Sequence, residues 1–307
     1  MTAISNALGP VFLLILFGAL LKRLGFPGES FWPQAERVTY YVLFPALLVQ
    51  RLATAEIGNT PLLPNLGGIV FMLLVGSLLL YLLRRQVSSD GPALTSVYQG
   101  GIRFNTYIGM ACADALYGDA GLVIAAVVMA IMIPLVNLLS ILAFHLTLHR
   151  GDLGPAAIRR SLLTNPLILG CLVGVALNRT GIGLPGWSDD TLALLGSAAL
   201  PLGLLSVGVA LQIHHVRHTV RELIGASMLR FVLMPLLMLL ALRWLHVPPL
   251  NAQALLLFAV LPTASSAYIL ARQLGGDTVL MANIITVQTL AGFVLIPARL
   301  ALSPGLF

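Results

Sequence analysis

Long apolar runs separated by short polar connections recur along the whole chain. Runs able to cross a hydrocarbon core of about 30 Å fall near residues 4–24, 32–53, 66–83, 92–116, 120–145, 162–177, 192–211, 223–245, 253–274 and 279–300. The pattern predicts an all-α polytopic membrane protein of about ten transmembrane helices. Two of the runs are interrupted at mid-length by polar and turn-forming residues. The fourth contains Gln99-Gly100-Gly101-Ile102-Arg103-Phe104-Asn105-Thr106, and the ninth contains Leu261-Pro262-Thr263-Ala264-Ser265-Ser266. Lipid satisfies no peptide group, so backbone that leaves a helix at mid-depth must line a cavity or be buried in protein.

The interruptions fall at corresponding places in two halves. A polar connection over residues 146–160 separates five runs (1–145) from five more (161–307). Gly25-Phe26-Pro27 matches Gly183-Leu184-Pro185, and Gly118-Asp119 matches Gly276-Asp277, both at an offset of 158 residues. In that register residues 104–107 fall on 262–265. Phe44-Pro45 also resembles Leu200-Pro201, two residues out of step. Five spans per unit would turn the second copy upside down, giving two inverted five-helix repeats. Paired broken spans in such repeats, here helices 4 and 9, mark the binding site of many secondary transporters.

Each broken span becomes two half-helices whose free N–H groups and partial positive charge suit an anion. Pro262 removes a backbone donor and disfavours helix at Leu261, so the second break has a covalent cause. Thr263, Ser265 and Ser266 place hydroxyls at the same level. The first break has no proline. Gly100-Gly101 would have to open it through flexibility, and Asn105-Thr106 by competing for backbone groups; a continuous, glycine-packed helix is the alternative.

Arg103 lies near mid-span, where an unpaired guanidinium costs at least about 2.5 to 3.5 kcal/mol. Its planar fork suits a carboxylate, whereas the structural alternative pairs it with Asp114 or a carbonyl. Asp114 itself is a candidate for proton coupling, or else sits in an aqueous vestibule or pairs with a base. Asn137, Asn283 and Gln288 either complete a cavity or bond helix to helix. Asn165 precedes Pro166 and caps the sixth span. Arg230, about two turns inside the eighth span, is expected to snorkel to the interface.

Composition agrees with the hydropathy: 58% of the 307 residues are hydrophobic, 9% are charged, and the mean hydropathy is +0.96. The net charge of +6 suggests no nucleic-acid partner, because the bases sit in short loops. With the N-terminus outside, eleven Lys and Arg residues fall on the cytoplasmic side and four (Arg51, Arg179, Arg243, Arg299) on the other. That bias predicts both termini outside a cell inner (plasma) membrane. The first run lacks leading bases and is followed by Lys22-Arg23, the reverse of a signal peptide. Cys112 and Cys171 read as packing residues. His214, His215 and His218 read as an interfacial loop rather than a metal site. No nucleotide-binding, nucleophile-elbow or zinc-protease motif occurs, so no enzyme, cofactor or metal is expected.

At the two breaks the chain resembles the auxin efflux carrier family, within the bile acid/arsenite/riboflavin transporter superfamily. The likeness spans the whole length and rests on residues 103–109 and 261–268, with Thr164-Asn165-Pro166 and Leu200-Pro201 in support. It implies a homodimer in the lipid bilayer. Helices 1, 2, 6 and 7 would form a scaffold, and helices 3–5 and 8–10 a transport domain moving as an elevator. Helices 4 and 9 would cross at the substrate, with Asn105 the crossover polar ligand and Pro262 the crossover proline. Plant members carry a proline at the first crossover as well, where Arg103-Phe104 stands here, and they have a long central loop that this chain lacks. The expected substrate is a small organic anion, a carboxylate such as malate or malonate or an auxin-like acid. A sodium-coupled symporter of the bile acid carrier type and a non-transporting membrane sensor are the alternatives.

Overall fold

The computed structural model describes residues 2–55, 62–88, 90–151, 154, 156, 159–160, 163–212 and 219–301. Its regular elements are helical, with no strand among the described residues. The first helix, α1 (Thr2–Arg23), is followed by α2 (Phe31–Val38), a π-helical turn (Thr39–Leu43) and α3 (Phe44–Ala53). Next come α4 (Leu62–Val87), α5 (Gly91–Ile102) and α6 (Thr106–Leu148). The second half contains α7 (Pro166–Thr180), α8 (Trp187–Ala210) and α9 (Val220–Met228), the last running through a π-helical turn (Leu229–Leu233) into α10 (Met234–Trp244). It ends with α11 (Pro249–Val260), α12 (Ser266–Leu274) and α13 (Thr278–Ala301).

Among the described residues six helical stretches are long and apolar enough to cross a membrane. One of them, Gly91–Leu148, is 58 residues long. As straight helix it would measure about 87 Å, far beyond one crossing, and it is broken twice. Residues 103–105 are non-helical, and Gly118, at φ 59° and ψ −147°, turns the chain inside α6. In the second half, short helix, extended residues, short helix, glycine turn and long helix occur in the same order, with Gly275 at φ 80° closing α12.

Both π-helical turns precede a proline, Pro45 and Pro235. Proline lacks the N–H of an ordinary helical bond and clashes with the carbonyl four residues back. The helix widens instead: the Phe44 N–H donates to the Thr39 carbonyl, and the Met234 N–H to that of Leu229. Such single wide turns rotate the side chains before them relative to a regular helix, and they are common at functional sites.

Caps fix the ends of the short helices. Asp90 accepts from the Ala93 N–H at 2.9 Å, starting α5. Asn165 accepts from Leu167 and Ile168 at 3.0 and 3.3 Å, starting α7 as its position before Pro166 suggests.

Helices α1, α3, α7 and α8 pack on one another, and α4 packs on α10. The α1–α8 contact is backbone against backbone. A Cβ at Gly208 would stand 1.9 Å from the Ile15 carbonyl oxygen and 2.8 Å from the Ala19 nitrogen, and one at Gly18 2.1 Å from the Leu205 carbonyl oxygen. Small residues permit this approach, the usual basis of helix association in lipid. Gly208→Ala is therefore expected to destabilise the protein by about 1–3 kcal/mol. Gly9→Ala, on the same helix α1 with nothing within 4 Å, should leave the melting temperature in detergent unchanged. Equal melting of the two variants would refute the contact.

Candidate functional site

The two interrupted segments meet. The Asn105 N–H donates to the Pro262 carbonyl at 2.8 Å, so each break supplies a partner that the other lost by leaving the helix. Arg103 and Leu261 are extended, at φ −76°, ψ 154° and φ −66°, ψ 143°. The first break needs no proline. Asn105 interrupts the helical path by capping the start of α6, its Oδ1 accepting from the Ile108 N–H at 3.1 Å. The glycines play another part: Gly100 and Gly101 are helical, and a Cβ on either would strike Ile284 or Leu229 at 2.7 and 2.0 Å. They are absences of side chain for packing, and the break begins only after Ile102.

The half-helices sort by polarity. The N-terminal ends of α6 and α12 open on a cavity of about 550 Å³, through Asn105, Thr106, Ser265 and Ser266. The C-terminal ends of α5 and α11 face away from it, toward Arg230. The Arg230 side chain is fully buried; its Nη2 donates to the Phe258 carbonyl at 2.6 Å, its Nη1 to that of Gly101 at 3.4 Å, and its Nε to that of Leu261. It does not snorkel. It lies in the second π-helical turn, buried in the protein with its donors taken by carbonyls of α5 and α11 and their ends.

Arg103 lines the cavity and is 8% exposed. Its Nη2 donates to the Ser266 Oγ at 3.2 Å, while Nη1 is buried without a hydrogen-bond partner among the described residues. No carboxylate among those residues pairs with it. Asp114, offered as a partner and as a coupling residue, is exposed on α6 and does not line the cavity.

Five of the seven residues expected to bind substrate thus share one cavity: Arg103, Asn105, Thr106, Ser265 and Ser266. Pro262 and Thr263 lie behind the break. The Thr263 N–H donates to the Gln288 Oε1 at 3.0 Å, and the Gln288 Nε2 donates to the Gly100 carbonyl at 3.0 Å. Gln288 therefore ties α13 to both breaks instead of lining the cavity. Asn137 lines the cavity, whereas Asn283 is buried on α13 outside it. Among the described residues no three His, Cys, Asp or Glu side chains gather as a metal site. His214, His215 and His218 lie outside the described residues.

The opposite wall comes from α2, the first π-helical turn and the start of α7, with Glu36, Arg37, Tyr40, Tyr41 and Asn165. Sequence reasoning passed over Glu36. It lies in the first turns of an apolar run beside Arg37, which reads as interfacial charge, yet a lone acid inside a span is itself a signal. Glu36 Oε1 accepts from the Ser265 Oγ at 3.2 Å, joining the two walls.

Residues 155–298 match a family described as "Membrane transport protein". Two relatives extend the likeness to nearly the full length. An "Uncharacterized transporter" of Methanothermobacter thermautotrophicus is 28% identical over 294 residues, 94% of each chain. A "Putative malonate transporter" of Rhizobium meliloti is 27% identical over 333 residues, the whole of each. The chain is thus similar to membrane transport proteins, over residues 155–298 by the family model and over nearly its full length by these two relatives. The transporter is a multi-pass membrane protein, and the match agrees with the resemblance to the auxin efflux carrier family at its crossing breaks. The family match covers the half that holds Pro262, Arg230 and Gln288.

Proposed function

We propose that the transporter is a secondary carrier of small organic anions, with a carboxylate bound between Arg103 and the N-terminus of α12. The observation that carries this reading is the Arg103 Nη1: a buried donor with no partner among the described residues, on the wall of a cavity large enough for a small molecule. The two half-helix N-termini and the guanidinium add positive potential at one place. A carboxylate would take both guanidinium nitrogens, a geometry that lysine cannot offer. The name of the Rhizobium relative supports malonate as the first candidate, with malate and auxin-like acids next.

The route we infer is alternating access of the elevator type in a homodimer. One wall of the cavity belongs to α2 and α7, whose neighbours are α1, α3 and α8; the other belongs to the breaks, α6 and α12. A sliding movement between two such groups would carry the site across the membrane with its geometry intact. The repeated element order supports the inverted repeat and ten passes, and the bias of Lys and Arg between the loops supports both termini outside the inner membrane. The likeness to transport proteins supports transport without catalysis.

The test is a thermal-shift screen of mono- and dicarboxylates on detergent-purified protein, followed by flux of the hits into proteoliposomes. Malonate should stabilise the protein and accumulate. Binding without flux would make it a sensor, and stabilisation by no carboxylate would overturn the reading. Glu36 supplies a further check, as the only acid among the described residues that line the cavity. Glu36→Gln keeps an acceptor for Ser265 and removes a like charge facing the bound anion, worth roughly 1 kcal/mol after screening. Malonate affinity should rise about fivefold by calorimetry. Weaker binding would show that Glu36 contacts the substrate through its charge.

A further inference from the structure

Arg230 has no role in holding the substrate, and nothing in the family likeness assigns it one. It is fully buried, no carboxylate lies within ion-pair distance among the described residues, and its three nitrogens are all engaged by backbone carbonyls. Those carbonyls have a common origin. Gly101 and Phe258 lie in the last turns of α5 and α11, and Leu261 directly follows α11, so the guanidinium stands where the C-terminal ends of the two crossing half-helices converge. Helix C-termini carry partial negative charge and unpaired carbonyl oxygens. In broken-helix transporters generally, such ends and unwound carbonyls hold a sodium ion or proton.

We propose that Arg230 is the transporter's resident counter-cation: a covalently attached guanidinium filling the place at the crossing that a metal cation would occupy, so that the crossing assembles and works without sodium. Two features of the chain suit this role. The fork of the guanidinium reaches carbonyls of both half-helices at once, which a lysine ammonium at the end of a flexible stem matches less well. Arg230 lies in the π-helical turn at Leu229–Leu233, just before Pro235, and its side chain reaches the crossing. The proposal deepens the reading of the site as an anion carrier and rests on it for its consequence in transport, but not for its effect on stability.

Arg230 acts through the crossing and is a positioning residue, so the experiment compares charge, shape and added cation. Melting of the purified protein is followed in sodium, potassium and N-methylglucamine chloride at equal ionic strength, without substrate. The wild type should melt at one temperature in all three. Arg230→Ala should melt about 5 °C lower or more and should regain part of the loss when millimolar methylguanidinium chloride is added, with no gain in the wild type. Arg230→Lys should fall between them, and Arg230→Met, which fills the space without charge, should melt near the alanine variant. Selective stabilisation of the wild type by sodium would overturn the proposal, as would wild-type melting of Arg230→Met. If Arg230→Ala yields no folded protein, the salt series on the wild type and the Lys and Met variants decide alone.

Malonate uptake into wild-type proteoliposomes supplies the functional arm. Equal uptake with sodium or potassium outside is expected, and sodium-dependent uptake contradicts the resident cation. No uptake in either salt counts against the carrier reading instead, and the melting series then decides the role of Arg230 by itself.

Discussion

Arg103→Ala is expected to abolish carboxylate recognition while leaving the fold intact. Malonate should no longer raise the melting temperature, and its Kd should weaken about a hundredfold or more, corresponding to roughly 3 kcal/mol for truncating one side of a buried, hydrogen-bonded charge pair. The protein without ligand should not suffer. Among the described residues the only side-chain bond Arg103 makes is the 3.2 Å one to Ser266, and its Nη1 is desolvated without compensation. Removing that charge relieves a burial cost of several kcal/mol that no bound anion yet offsets, so the variant should melt at or above the wild-type temperature. Arg103→Lys separates charge from shape: it keeps the electrostatic attraction but loses the two-pronged grip, and should bind with intermediate affinity. Calorimetry on monodisperse protein reads all three values. Full affinity in Arg103→Ala would remove the anchor from the site.

The contrast between Arg103 and Arg230 shows what the sequence could and could not convey. Both arginines stand out as charges inside apolar runs, and position along a run is all that a hydropathy pattern records. Arg103 is at mid-span next to Asn105, a residue able to cap a helix, and there the inference from sequence to cavity was short. Arg230 lies close enough to a span end for its stem to reach the interface, and depth alone favoured that reading. It falls in a π-helical turn that the sequence does not announce, since Pro235, five residues on, looks like an ordinary helix-start proline. Pro45 has the same relation to Tyr40, which is turned to the cavity wall. The glycines misled in the opposite sense. Gly100-Gly101 suggested flexible backbone, but they are helical and small because Ile284 and Leu229 press against them. Pro262 was read correctly as a cause of the break, while its carbonyl, accepting from Asn105, was invisible, because a bond between residues 157 positions apart leaves no local trace. Glu36 and the whole opposite wall are tertiary in the same way.

Gln288→Leu is expected to be the most damaging uncharged substitution at the crossing. The wild-type amide is fully buried on α13 and completes two backbone groups that no helix can serve: it accepts from the Thr263 N–H and donates to the Gly100 carbonyl, each at 3.0 Å. Pro262 and the extended Leu261 have taken Thr263 out of the helical ladder, and the end of α5 leaves Gly100 among the terminal carbonyls. Leucine has a similar volume and packs without a hole, so the change isolates the polar loss. Each orphaned backbone group costs about 1–3 kcal/mol, or about 2–6 kcal/mol together. In a protein of this length that should lower the melting temperature by several degrees at least. The loss should also reach the cavity. Gly100 and Thr263 flank the extended backbone that presents Arg103 and Ser266, so malonate affinity should fall even where Gln288→Leu remains folded. Gly208→Ala, which loosens α1 from α8 at a contact that includes neither break, should lower stability without changing affinity in the surviving folded fraction. Parallel melting and calorimetry on these two variants would therefore separate general destabilisation from loss of the geometry that one glutamine imposes on both breaks, and unchanged affinity in Gln288→Leu would mean that Arg103 is positioned by its own half-helix alone.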